Sequence, residues 1–424
     1  MKFFSRRFLA ATAAAFTAFS LVSCGNGGLG DGSSAPSVGG KAANSEKPVC
    51  WFNRQPSNSV TGELDVNALN FNDKTYYVGV DAEQGAELQG TMILDYIRAH
   101  EGDIDRNGDG VIGYILAIGD VGHNDSISRT RGVRKALGTA VEQNEEIDSN
   151  PVGTNTDGSA SDVADGTIDG LTVRELASME MKNAAGATWD AATAGNAIGS
   201  WAASFGDQID LVISNNDGMG MAMFAAWSKD NHVPTFGYDA NSDAVAAIAE
   251  GYAGTISQRA DVQAYLTLRV LRNALDGADM DTGIGTADEA GDVLSSDVYK
   301  YVPDERSYYA LNEAVTAENY QNFTDSSKVY DAVANQLDAA SHPTKRVWLD
   351  IYNAQDNFLS STYLPLLQNY DDLLNLDVEY IAGDGQTEAN TTNRLTNPSV
   401  YDAFAFNMVK TDNASSYTSL LSRE

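Results

Sequence analysis

Cysteine is almost absent from this 424-residue chain, which has only Cys24 and Cys50. A disulfide-stapled scaffold is therefore excluded, and a core must be built from ordinary apolar packing. Cations are scarce as well. Lys and Arg number 27 against 59 Asp and Glu, a formal net charge of −32. Such a surface repels nucleic acid and anionic lipid, which makes both poor partners. No helix-turn-helix pattern precedes Val49, which also argues against a DNA-binding regulator. Beyond residue 22 no run is long and apolar enough for a transmembrane helix. No short repeat of the solenoid kind occurs.

What is there begins with a targeting pattern. Lys2, Arg6 and Arg7 precede an apolar stretch, 8–22, too short to span a bilayer comfortably. It ends in Leu21-Val22-Ser23-Cys24, which resembles the lipobox of bacterial lipoproteins. That resemblance implies cleavage before Cys24 and a diacylglyceryl group on its sulfur. The signal peptide is then 1–24, and the Gly-, Ser-, Ala- and Asn-rich stretch 25–47 is a flexible tether. The membrane is touched only through the lipid, on the outer side. With Cys24 claimed, Cys50 has no partner and reads as a buried, inert thiol.

The remaining residues suggest two domains of ordinary size. Short β-rich runs at 49–52, 75–80, 113–118, 209–214, 235–238, 254–256, 299–302, 346–352, 378–382 and 403–408 alternate with helical patterns. The helical patterns lie at 84–99, 126–143, 191–205, 219–229, 243–250, 261–275 and 358–374. This rhythm predicts α/β lobes with parallel sheets covered on both faces. The Asp-, Gly- and Ser-rich stretch 148–170 reads as an irregular surface insertion. The polar stretch 314–343 reads as a connector with an amphipathic helix around 327–340.

Open parallel sheets bind ligands beyond the carboxyl ends of their strands, and the polar residues gather there. Asn53-Arg54 follow Phe52, and His123-Asn124-Asp125 follow the strand ending at Ile118. Asn215-Asn216-Asp217 follow Ser214, Asp239 follows Tyr238, Gln258 follows the strand near Ile256, and Asp356-Asn357-Phe358 follow Tyr352. Amides, carboxylates and an Arg suit hydroxyls that both donate and accept. Phe358 and the isolated Trp189 offer flat rings for the C–H faces of a pyranose. Each residue singly is more often a turn or N-cap residue.

These stretches are similar to the bacterial periplasmic D-galactose/D-glucose-binding protein family. The resemblance rests on Trp51-Phe52-Asn53-Arg54-Gln55-Pro56-Ser57, Gly122-His123-Asn124-Asp125 with Arg129, Thr188-Trp189-Asp190, Asn215-Asn216-Asp217-Gly218-Met219, Phe236-Gly237-Tyr238-Asp239-Ala240 and Asp356-Asn357-Phe358. It implies a type I periplasmic-binding-protein fold, two Rossmann-like lobes joined by a hinge. It further implies circular permutation, because the segment that opens the family's mature chain lies here near the carboxyl end. Lobe one is then 48–80, 258–296 and 345–424. Lobe two is 81–257 and 297–313, and 314–344 joins the family's usual termini.

Position by position, the resemblance implies a sugar sandwiched by Phe358 and Trp189. Asp356 would face the hydroxyl that distinguishes glucose from galactose. Asn53, His123, Asp125, Arg129, Asn216 and Asp239 would supply further hydrogen bonds, and Gln258 stands where the family usually has Asn. The implied partners are D-glucose or D-galactose, an ABC transporter permease, and a chemoreceptor as a second reader. No catalysis is implied.

Asp105-Arg106-Asn107-Gly108-Asp109-Gly110-Val111 resembles an EF-hand loop. Side-chain oxygens would come from Asp105, Asn107 and Asp109, and a backbone carbonyl from Val111. The twelfth position is Leu116, so the resemblance implies a last carboxylate from the distant Asp210. The ion would be structural Ca²⁺. Two other readings stay open: an exported glycosidase using two of Asp125, Asp239 and Asp356, and a calcium-dependent adhesion or scaffolding module.

Overall fold

Strands that are buried on both faces read as unbroken apolar runs, and here they assemble into two sheets. The computed structural model describes residues 44–58, 64–139, 155–227, 232–324, 335–354, 356–383 and 388–422. Cys24 and the expected signal segment lie outside these residues, as do most of the tether and the first part of 148–170. The strands are β1 (Val49–Asn53), β2 (Thr75–Val80), β3 (Val111–Ile118), β4 (Asp157–Ala160), β5 (Gly166–Ile168), β6 (Leu171–Glu180), β7 (Leu211–Ser214) and β8 (Thr235–Phe236). They continue as β9 (Thr255–Ser257), β10 (Tyr299–Val302), β11 (Ser307–Ala310), β12 (Glu313–Val315), β13 (Lys345–Ile351), β14 (Leu376–Ala382) and β15 (Ala403–Phe406).

One sheet has the order β10-β11-β2-β1-β15-β13-β14, parallel apart from β10. In β1, Cys50 and Phe52 pack to one face with Val262, Leu266 and Leu367. Val49 and Trp51 pack to the other with Phe404, Phe406 and Tyr417. Helices Ala260–Asp276 and Leu364–Leu373 cover the first face, and Ala414–Leu421 the second. Burial pushes the Cys50 thiol far up, so it is an unreactive core residue.

The second sheet runs β4-β6-β3-β7-β8, with β5 also on β6. Parallel bridges from Phe236 to Gly254 and from Asp239 to Ser257 carry it on to β9, which pairs with β12. Helices Ala82–Ala99 and Asn124–Ala136 cover one face, and Ala191–Phe205 and Asp217–Ala226 the other. The core order in this lobe, β6-β3-β7-β8-β9, is the doubly wound order 2-1-3-4-5. The first lobe shows the same order in β14-β13-β15-β1-β2, provided that counting starts at β13.

Several expectations are corrected. The stretch 148–170 is not wholly irregular, because β4 and β5 add antiparallel to β6. It is pinned by a buried ion pair, Arg134 to Glu175 at 2.7 Å, which Ser161 joins at 2.9 Å. Residues 297–313 do not all belong to lobe two. β11 pairs parallel with β2 and β10 with β11, so both strands extend the lobe-one sheet. The helix expected over 126–143 stops at Ala136. Within 327–340, residues 335–340 are not helical and the rest lie outside the described residues. The stretch 358–374 opens as a π-helix, Phe358–Tyr363, before the α-helix Leu364–Leu373. Pro365 lacks the N–H that would continue regular α bonding through this point.

The chain crosses between the lobes after β2, after β9, between β11 and β12, and again before β13. Among the described residues no helix is long and apolar enough to cross a membrane.

Candidate functional site

Parallel strands deliver their following loops to one edge of a sheet, and the two edges meet here across a cleft. It encloses about 390 Å³, part of it open to solvent. All ten of the residues singled out for ligand line it: Asn53, His123, Asp125, Arg129, Trp189, Asn216, Asp239, Gln258, Asp356 and Phe358. Arg54 and Tyr352 line it too; Arg54 stood among the polar residues noted at the strand ends, but neither was assigned to ligand. Thr362 reaches across from lobe one to Asn241 at 3.5 Å.

Backbone geometry aims several of these groups. Asn53, Trp189 and Asp239 have φ of 61°, 60° and 111°, a region that side-chain-bearing residues seldom adopt. Such strain clusters at functional sites. The Trp189 ring lies against Gly119, where an added Cβ would fall 2.3 Å from it. Asn216 and His123 cap the helices that follow them. Asn216 Oδ1 accepts from the Met219 N–H at 2.9 Å, and His123 Nδ1 accepts from Asp125 N–H at 3.2 Å. The His123 proton therefore sits on Nε2, which is buried with no hydrogen-bond partner among the described residues. Burial first, then the nearby Arg54, lowers that imidazole to about 4 and keeps it neutral at pH 7.

Arg129 is the central cation and is 4% exposed. Its Nη1 donates to the Asn215 carbonyl at 2.8 Å and lies 3.6 Å from Asp239, while Nη2 lies 3.6 Å from Asp125. Its Nε has no hydrogen-bond partner among the described residues. Gln258 Nε2 donates to Asp239 Oδ1 at 2.6 Å, so the longer side chain spends a donor inside the protein. Asp356 is held at both oxygens, by Tyr352 hydroxyl at 2.9 Å and by Leu359 N–H at 3.0 Å. The Arg54 guanidinium lies 3.7 Å over the Tyr352 ring and donates to the Met408 and Val409 carbonyls. Tyr352 ends an apolar run and reads as core. Its position four residues before Asp356 is the only hint of the bond. Arg54 stood beside Asn53 in the sequence, and its role becomes visible only when the segment after β15 is placed.

The cleft thus offers donors, acceptors and two aromatic rings, Trp189 and Phe358. Among the described lining residues no nucleophile stands next to a base.

In the acidic loop, Asp105 accepts from the Gly108 and Gly110 N–H groups at 2.8 Å each, and Asn107 from Asp109 N–H at 2.9 Å. Asp210 is buried and tied to the loop, accepting from Arg106 N–H and Gly113 N–H at 2.8 Å each. The oxygens suit a hard cation. Among the described residues, however, no group of three His, Cys, Asp or Glu side chains is arranged to hold a metal. Asp210, which would supply the last carboxylate, has both oxygens engaged by backbone N–H groups.

Two family models, both described as a periplasmic binding protein domain, match residues 41–279 and 344–414. The chain is 28% identical over 253 residues to the D-galactose/methyl-galactoside binding periplasmic protein MglB of Haemophilus influenzae. That match covers 59% of this chain and 63% of that protein. The chain therefore spans less than two thirds of that relative. A xylitol-binding protein of Mycolicibacterium smegmatis is 33% identical over 99 residues, 23% of this chain and 28% of that protein. A solved D-allose-bound ABC transporter periplasmic solute-binding protein from Actinobacillus succinogenes has 16% identity and a TM-score of 0.41. It covers 65% of this chain and 71% of its own.

Asp239 supplies a pH test. Burial, opposed by Arg129 and reinforced by Asp356, pushes its carboxyl up to about 7. A raised carboxyl contributes stability below the ordinary carboxylate range, and that stability is lost as pH rises through about 7. Urea unfolding of Asp239→Asn beside the parent chain should show the variant gaining relative stability across that window. A difference independent of pH would show that Asp239 titrates normally.

Proposed function

The chain belongs to the periplasmic binding protein domain family, and from that premise we propose an extracytoplasmic receptor that holds a hexose between its lobes and does no chemistry on it. The ligand is D-galactose or D-glucose. The observation that carries the reading is one cleft lined by twelve polar and aromatic residues from seven chain segments of both lobes. Its amides, carboxylates and arginine match a ring of hydroxyls that both donate and accept. The absence of a nucleophile–base pair among these lining residues favours binding over hydrolysis. Closure about the crossovers would present the loaded receptor to an ABC permease.

We further propose that the chain is a circular permutant. The support is the shared order 2-1-3-4-5, which lobe one has only when counted from β13. Cys24 would anchor the chain by a lipid. Detergent-phase partitioning that Cys24→Ser abolishes supports this, and partitioning that Cys24→Ser leaves unchanged refutes it. Ca²⁺ would brace lobe two through Asp105, Asn107, Asp109 and the Val111 carbonyl, with Asp210 behind them.

Calorimetric titration of the chain from residue 25 with D-glucose, D-galactose and D-ribose tests the receptor. Either hexose should bind with Kd at or below roughly 10⁻⁶ M, with no response to ribose. No heat from folded protein would remove both the receptor reading and the permuted site. In the same preparation, 10 mM Ca²⁺ against chelator should raise stability by about 1–3 kcal/mol for a Kd of roughly 10⁻⁴–10⁻³ M. An unchanged unfolding midpoint would dismiss the metal.

A further inference from the structure

Behind the cleft, one buried phenol joins a cleft residue to two of the crossovers. Tyr238 immediately precedes Asp239 and is fully buried. Its ring lies 3.7 Å beneath the guanidinium of Arg129. Its hydroxyl donates to Asn312 Oδ1 at 3.3 Å. Asn312 lies in the crossover between β11 and β12. Its Nδ2 donates to the carbonyl of Asp81 at 3.1 Å, in the crossover after β2, and to Gln84 Oε1 at 2.7 Å. The packing is tight. A Cβ on Gly85 would fall 1.8 Å from the Tyr238 hydroxyl and 2.9 Å from Asn312 Nδ2. Neither Tyr238 nor Asn312 lines the cleft.

We propose that Tyr238 and Asn312 are positioning residues that couple the alignment of Arg129 to the state of the hinge. Hinge motion is absorbed by φ and ψ changes at a few crossover residues. The Asn312 side chain rides on such a segment. Turning that segment withdraws the acceptor from a buried hydroxyl, and an unpaired buried hydroxyl is costly. The same motion frees the ring on which Arg129 rests. Closure and a correctly placed Arg129 therefore come together, and ligand affinity reports both. This inference rests on the receptor reading above.

Tyr238→Phe keeps the ring under Arg129 and removes only the hydroxyl. Asn312→Ala removes the other partner. For D-galactose and D-glucose, measured by calorimetry and by stopped-flow tryptophan fluorescence, each variant should raise Kd about five- to tenfold. The change should lie mainly in the dissociation rate. The double variant should bind no more weakly than the worse single one, because both remove one link. A residue with only a structural role would lower the thermal midpoint and leave the Kd of the folded protein unchanged. Parent-like Kd and dissociation rate in Tyr238→Phe, or fully additive effects in the double variant, would overturn the coupling while the receptor reading stood. Failure of the parent chain to bind either hexose would overturn both.

Discussion

Burying the guanidinium of Arg129 sets the terms for the rest of the cleft. Removing such a charge from water costs several kcal/mol unless charge and hydrogen bonds are supplied around it. The compensating groups come from separate places in the fold. Asn215, following β7, gives a carbonyl; Asp239, beyond β8, gives a carboxylate; and Asp125, one turn earlier on the same helix, gives another. Tyr238 supplies a π face. Only a parallel sheet, which brings successive loops to one edge, gathers these from so far apart in sequence. Gln258 and Asp356 then act on Asp239 from the crossover and from lobe one. The electrostatic balance of the cleft thus extends across the hinge.

Lobe one meets this centre with a different device. The Tyr352 hydroxyl and Leu359 N–H fix Asp356, and Arg54 braces Tyr352 from behind while hanging from the backbone after β15. Both β13 and β15 belong to the point at which the strand order reverses when counting starts at β13. Such a reversal is where open α/β sheets place ligands. Under the proposed permutation, the loop bearing Asp356 and Phe358 comes late in the chain because the lobe-one order is counted from β13.

Much of this was legible in the sequence because buried parallel strands need no alternation. Runs such as 49–52 and 75–80 stand out by apolarity alone, and polar residues after them fall at the sheet edge. Strands that pack little were not legible. β4 is made of Asp157, Gly158, Ser159 and Ala160 and owes its place to pairing with β6 rather than to burial. β10 and β11 were separated from their sheet because they join it only through the long-range pairing of β11 with β2, with β10 hanging on β11. The bond from Tyr352 to Asp356 depends on the conformation of the turn between them. The link from Tyr238 to Asn312 joins residues 74 positions apart, and no local pattern marks either one.

The central claim is that the lobes close on a ligand. Small-angle scattering of the chain from residue 25, with and without saturating D-galactose or D-glucose, tests it most directly. The account predicts a smaller radius of gyration and a shorter maximum dimension with the bound hexose. Identical profiles in a sample that calorimetry shows to be saturated would contradict it, leaving a rigid binding domain in place of a hinged receptor.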